Sequence, residues 1–476
     1  MNNRKINFDS KLIAIFIFFS IFMIVQRLNN IFVLIAYFII GEILLYFYLT
    51  IKRISRNAKR LFLIMMFFWF QEFSSAQDNR ILSYFVYAFE IILLISLMLY
   101  FVQHIRKVHL NQIKVTVLAL IALLCVNFIG NLLTYKEFMI FLYSSYDGCK
   151  YFVLIFYVLA IQPTKKDFKE LLDLLIGIVL MHTICAVLQF AGITMFFDIF
   201  RGRYDIIQRI GSFRAIGMFP YGIELGNYSC ILFALYYIFS KSLAKREKRV
   251  YILVEICLVL CIILSGTRTS MANVAILFIL SNLDNIISWF KTVAIILMVL
   301  LFGSNMIDIS EIISRTKWDM SIELPRTYYM KKGIEIWTDN PFFGIGFNTY
   351  GSAKYRERTD DIIFDTYDIH KFDYANLATT DSFIVELLPE FGIFGILIII
   401  LYGKYIIKNY RKKQSNLKFF SIFIYIIISI TIMSINSSTA YINAHIGSWF
   451  WIACGMLLCD DLEEYKSKNR ARVKIN

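Results

Sequence analysis

Charge is scarce in this chain: Asp, Glu, Lys and Arg make up 18% of its 476 residues, against 58% hydrophobic and 17% aromatic. A soluble globular domain carries about a quarter charged residues and about half apolar ones, so a water-facing fold of any class is excluded and a membrane is the expected solvent. Histidine is also sparse. Its five copies, His104, His109, His182, His370 and His445, are dispersed, and the eight cysteines stand singly. The closest cysteine pairs, Cys257/Cys261 and Cys454/Cys459, have neither CxxC metal spacing nor redox spacing. They read as small hydrophobes, and no zinc or iron site is expected, nor any cofactor. Internal repeats and low-complexity tracts are missing. The first apolar run, Lys11 to Gln26, follows Arg4 and Lys5 but has no small-residue cleavage site, which predicts a retained first helix.

What the sequence does have is a succession of long apolar runs. A bilayer core takes roughly 20 apolar residues per helix, and segmentation on that rule gives about fourteen spans. They run at 11–27, 31–51, 61–75, 81–103, 115–134, 145–162, 171–193, 222–240, 250–266, 269–288, 292–307, 382–403, 419–436 and 440–458. The formal charge of +14 would raise nucleic acid as a partner of a soluble protein. Here the basic residues sit in short clusters between the runs: Lys52 to Arg60, Arg106 to Lys114, Lys165 to Lys169, Lys241 to Arg249, Lys404 to Lys418 and a tail from Lys466. All of these fall on the same side of the segmentation. That is the signature of the cytoplasmic face of a membrane and not of DNA binding, and it places both termini in the cytoplasm.

The expected fold is therefore an all-α, polytopic transmembrane bundle of about 12–14 helices with one large extracytoplasmic loop that contains short helices. Along the chain it divides into N-terminal transmembrane helices (1–213), central transmembrane helices (214–307), the large loop (308–381), and C-terminal helices with a basic tail (382–476). The opposite face has short connections except at about 195–221 and about 308–380, and long irregular segments in compact proteins are usually functional. Three of the five prolines, Pro220, Pro325 and Pro341, lie in these two loops and indicate ordered turns.

Three arginines on that face stand at or near helix ends: Arg214 in GSFRAIGMFPYG, Arg268 in LSGTRTSMANVAILF and Arg326 in ELPRTYYMKKGIEIW. Arginine suits phosphate because its fork donates two parallel hydrogen bonds and never deprotonates. Arg268, at a sharp turn between apolar runs, either holds a ligand or reaches the interface to pair with lipid phosphate. Arg201 and Arg203 read as interfacial anchors. The large loop should open with a surface helix over Pro325 to Trp337, with Tyr328, Ile334 and Trp337 on one face. In the NPFFGIGFNTYG segment that follows, Asn340 and Pro341 start a turn, while Gly344 and Gly346 permit conformations or approaches that larger residues forbid.

At the far end, TTDSFIVELLPEFGIFG brings Asp381 and Ser382 into the next helix, with Gly392 and Gly395 as a small packing face. Asp381 is a helix cap or a base. His370, between Asp368 and Asp373, is a solvated loop histidine or a proton acceptor. Glu42, Glu90 and Glu255 lie within spans, where such carboxylates serve proton relays or pack against polar partners.

Taken in order, the Arg-x-x-Gly loop at Arg214, the Ser-Gly-Thr-Arg turn at Arg268, Arg326 ahead of Trp337, the Trp337-x-x-Asn-Pro-x-x-Gly-x-Gly stretch and the Glu-Phe-Gly of PEFGIFG resemble the O-antigen polymerase and O-antigen ligase family of bacterial envelope glycosyltransferases. The match is strongest from about Arg214 to Gly395. The resemblance implies a metal-independent transferase of the bacterial cytoplasmic membrane, acting on glycan carried by polyprenyl diphosphate. It assigns Arg214, Arg268 and Arg326 to the diphosphate and the large loop to the acceptor, with a flippase and a chain-length regulator as the partner proteins such a system works with. Ligases of the family typically carry His-Asn at the end of the loop, where this chain has Thr380-Asp381. Asp381 or His370 is then the candidate base, and polymerase is favoured over ligase. A lipid-linked oligosaccharide flippase, the competing class, should show two comparable halves and short external loops, and neither is visible here.

Overall fold

The computed structural model describes residues 31–75, 80–193, 212–219, 221–241, 245–281, 325–350, 383–412, 417–434 and 444–459, together with parts of 14–25, the pair 208–209 and residues 243 and 367. Apart from one two-residue ribbon, Gln208–Arg209 paired antiparallel with Ser212–Phe213 (β1 and β2), the regular elements among them are helical. The helices are α1 (Ile31–Ile51), α2 (Arg56–Ser75), α3 (Arg80–His104), α4 (Leu110–Thr134), α5 (Phe138–Cys149), α6 (Phe152–Ile161), α7 (Lys165–Phe190), α8 (Gly222–Ser240), α9 (Lys245–Leu264), α10 (Arg268–Ser281), α11 (Pro325–Asp339), α12 (Phe383–Arg411), α13 (Leu417–Ser434) and α14 (Ala444–Leu458). Six of these described helices are long and apolar enough to cross a membrane, seven when α5 and α6, which meet at a 41° bend, count as one span. The chain is thus an all-α, multi-pass helical protein. Large apolar side chains on α1 and α3 face outward, Phe47 at 60% and Ile92 at 59% exposure, which only a lipid surround accommodates at this density.

The run expected as one span at 145–162 falls on the second half of α5 and on α6, which are separated by the bend at Lys150 and Tyr151. The span expected at 292–307 and most of the large loop lie outside the described residues.

Two compact units make up the chain, one comprising residues 1–92 and 163–312, the other 93–162 and 313–476. In the first, α8 is the central helix, buried almost throughout and packed against α9 and α10. Helix α7 packs on α9 and α2 and starts at a capping box: the Thr164 hydroxyl accepts from the Asp167 backbone, and the Asp167 carboxylate accepts from the Thr164 backbone at 2.8 Å. The start of α2 is fastened to the same turn, where Glu170 accepts from the Ser55 backbone at 2.6 Å and Asp167 from Asn57 at 3.3 Å.

In the second unit α14 packs against α6, α12 and α13, while α12 also packs on α4 and α11. Gly455 allows the close approach of α14 to α6, since a β-carbon there would meet Val158 at 2.9 Å. Phe152 and Trp451 close the same contact with rings 4.2 Å apart.

Candidate functional site

In the first unit the candidate residues gather around the Ser265-Gly266-Thr267 turn between α9 and α10. Gly266 takes a left-handed conformation, φ +62°, so the chain reverses within three residues. The turn closes on itself. Ser265 donates through Oγ to the Ile262 carbonyl at 2.7 Å and to Thr267 Oγ1 at 3.0 Å, while the Thr267 backbone donates to Ser265 Oγ at 3.2 Å.

Arg214 grips this turn from outside. Its Nε donates to the Ser265 carbonyl in a short contact, its Nη2 to Thr267 Oγ1 at 2.9 Å, and the adjacent Ala215 backbone to the Leu264 carbonyl at 3.0 Å. Two glycines one turn apart on α8 make room. A β-carbon on Gly222 would sit 2.9 Å from Arg214 Nε, and one on Gly226 would sit 2.7 Å from Thr267.

The segment that follows Arg214 is itself held from behind by α7. Gln189 accepts through one oxygen from the backbones of Ile216 at 3.0 Å and Gly217 at 2.7 Å, and donates to the Gly217 carbonyl at 2.8 Å. His182 Nδ1 accepts from Met218 at 3.3 Å, and its ring stacks on Phe219 at 4.6 Å. The outcome is a buried lattice of polar contacts next in the chain to Arg268, the first residue of α10, which is exposed. Arg214 and Arg268 are thus brought to one turn but are placed differently, the first against the protein and the second outward.

The second unit carries the NPFFGIGFNTYG segment, and its anchorage explains most of the residue types in it. Helix α12 is broken at Gly392, which has φ +56° and ψ −175°, three residues after Pro389, whose ring removes one amide donor. A broken helix strands carbonyls on one side and amides on the other. The glycine segment satisfies both. Ile345 and Gly346 donate to the carbonyls of Pro389 at 2.8 Å and Glu390 at 3.2 Å, and the carbonyls of Pro341 and Phe342 accept from Ile393 at 2.9 Å and Phe394 at 3.0 Å. Gly344 (φ +67°) and Gly346 (φ +110°) lie so close that β-carbons would fall 2.5 Å from the Glu390 carbonyl oxygen and 2.2 Å from Asn131 Nδ2. Both glycines therefore meet a left-handed conformation and a close approach together. Gly392, expected as part of a packing face, is the break, and Gly395 alone abuts α4 at Val126.

Side chains complete the dock. The fully buried Glu390 carboxylate accepts from the backbones of Asn348 at 2.7 Å and Tyr350 at 2.9 Å. Asn127 on α4 accepts from the Phe347 backbone at 2.8 Å and donates to Ser144 at 3.0 Å and Ser145 at 2.8 Å on α5. Asn340 lies at the end of α11, donating to the Ile336 carbonyl at 3.2 Å and to the Tyr367 hydroxyl at 3.4 Å, with Pro341 next in the turn. Lys332 also donates to the Tyr367 carbonyl at 2.6 Å. Burial and then Asp339 push the Tyr367 phenol up to about 12, so it stays a hydroxyl at neutral pH.

The face that α11 turns inward is Tyr329 and Ile336, with Tyr350, Ile345, Ile140 and Tyr135, while Ile334 is exposed and Tyr328 and Trp337 are half-buried. Of the stripe of Tyr328, Ile334 and Trp337, Tyr328 packs against the edge of this inward cluster, while Ile334 and Trp337 are not part of it. Burial, with Tyr329 and the Glu386 carboxylate beside it, holds the Tyr350 phenol well above its ordinary range, and its hydroxyl donates to the Tyr329 carbonyl at 2.5 Å.

Arg326 lies in the first turn of α11. His370 and Asp381 lie outside the described residues, as do Arg201 and Arg203. Asn127, Asn131 and Gln189 went unnoticed in the sequence, although amides spaced by four within an otherwise apolar span, as in VNFIGN, are a readable sign of a buried polar face.

No curated protein matches the chain. Residues 253–400, which run from α9 through the Ser-Gly-Thr-Arg turn and the glycine segment into α12, match the family model described as O-antigen ligase.

Proposed function

We propose that the chain is a polymerase of lipid-linked oligosaccharide repeat units, working on the outer face of the bacterial cytoplasmic membrane without a metal, with both termini in the cytoplasm. The growing glycan is transferred from polyprenyl diphosphate to the next lipid-linked unit. An acceptor hydroxyl oxygen attacks the anomeric carbon, the bond from that carbon to the diphosphate oxygen breaks with its electron pair leaving on the diphosphate, and the acceptor proton passes to a base. The observation that carries this reading is Arg268, an exposed guanidinium at the end of a hydrogen-bonded turn inside the family segment. A fixed cation stabilises the charge that develops on a departing diphosphate because it needs no reorganisation during the reaction.

Arg214 then serves chiefly as the support of that turn, with Arg326 as a further diphosphate contact. Asp381 or His370 takes the proton. Thr380-Asp381, where ligases of the family have His-Asn, favours chain extension over transfer to a different acceptor. The test is the surface glycan of a deletion strain. Single repeat units in place of long chains support polymerase, unattached lipid-linked polymer supports ligase, and units trapped on the inner face support a flippase.

A further inference from the structure

The α5–α6 bend holds a second polar site, in the unit that carries the glycine segment. Asp147 and Lys150 pair there at 3.3 Å with side chains almost fully buried, and the Lys150 ammonium lies over the rings of Tyr146 at 5.2 Å and Tyr151 at 5.0 Å. Between the pair, Gly148 lets the glycine segment pass: a β-carbon there would stand 3.3 Å from Phe347 and 3.7 Å from the Asn348 amide nitrogen. Asn348 is only 3% exposed, yet neither its amide nitrogen nor its amide oxygen has a hydrogen-bond partner among the described residues. Its backbone cannot swing away, since its N–H is held by Glu390 at 2.7 Å and its φ of +52° is fixed between Phe347 and Tyr350, both anchored. Glycine would suit that backbone better and would bury no unpaired amide. An asparagine here needs a partner that brings both a donor and an acceptor.

We infer that Asn348 is the reading group of a glycan subsite at the α5–α6 bend, taking a pair of sugar hydroxyls or an acetamido group through its amide. The substrate class rests on the polymerase reading. The choice of sugar over diphosphate does not, because Lys150 and Asp147 neutralise each other and leave no net positive charge at the bend to hold an anion.

The experiment measures binding of the organism's own repeat-unit oligosaccharide, freed of lipid and diphosphate, and separately of inorganic diphosphate, to the purified full-length protein in nanodiscs. Asn348→Gly keeps the left-handed backbone and removes the amide. Oligosaccharide affinity should fall about tenfold or more, with diphosphate binding unchanged and the melting midpoint equal or higher. Wild-type oligosaccharide affinity in the variant, a lowered midpoint with affinity retained, or no oligosaccharide binding by the wild type each overturns the subsite. Should the variant fail to fold, hydrogen exchange on the wild type decides. Oligosaccharide must protect peptides covering Tyr146 to Tyr151 and Gly344 to Tyr350, and an unchanged pattern overturns the proposal. If oligosaccharide binds through Asn348 but a deletion strain still makes full-length polymer, the polymerase reading fails and the subsite stands.

Discussion

Replacing Glu390 with glutamine should release the glycine segment while leaving the helices in place. The carboxylate accepts two backbone hydrogen bonds, from Asn348 at 2.7 Å and Tyr350 at 2.9 Å, in a fully buried position. Hydrogen bonds to a charged group contribute about 1.5–3 kcal/mol each. A glutamine keeps one acceptor oxygen and turns an NH2 toward the other amide, so one bond is lost and a buried donor is left facing a donor. The expected cost is about 3 kcal/mol, or roughly a hundredfold in the equilibrium between docked and undocked segment, since about 1.4 kcal/mol corresponds to tenfold. The backbone bonds from Ile345 and Gly346 to α12 remain, so the effect should be local. Hydrogen exchange in nanodiscs measures it directly. Amides of 344–350 should exchange about a hundredfold faster in the variant, with α8 and α14 unchanged. Unchanged protection over 344–350 would refute the claim that Glu390 holds the segment.

Gly346→Ala should act on the same dock by a steric route, with a β-carbon 2.2 Å from Asn131 Nδ2 at φ +110°, at a cost of about 2 kcal/mol or more, read as the same local loss of exchange protection. Arg268→Ala should leave the protein inserted and as stable as wild type, because the side chain is exposed, but abolish long-chain polysaccharide; normal chain length would remove the diphosphate role. Arg214→Lys should lower both melting midpoint and polymer yield, since lysine is a point charge that cannot reproduce the fork reaching Ser265 and Thr267 together. Asp381→Asn and His370→Ala, compared by polymer length at matched protein levels, should separate the two base candidates, and wild-type output from both would eliminate the pair.

The membrane helices were readable because a bilayer imposes a length and an apolarity that a sequence displays openly. The expected spans 31–51, 222–240 and 440–458 fall on α1, α8 and α14 within a few residues. Turn chemistry was readable too, since Gly344 and Gly346 were recognised as sites of special conformation. The partners of those glycines could not be read. Asn127, Asn131 and Glu390 reach the segment from elements far along the chain, and no local pattern records which distant carbonyl or carboxylate will accept a given amide. The break at Gly392 was hidden for a related reason. Gly392 and Gly395 look alike in an apolar helix until a second segment arrives to satisfy the backbone stranded at one of them. The arginines were found by residue type, but Arg214 and Arg268 are told apart only by which one the Ser265 carbonyl and Thr267 hydroxyl engage.

The central claim is chain extension by this protein alone. Purified protein in nanodiscs, given only repeat units on polyprenyl diphosphate, should convert them into a ladder of longer lipid-linked glycans with release of free polyprenyl diphosphate. No ladder from those units alone, with glycan transfer appearing only once a different acceptor is supplied, would contradict it.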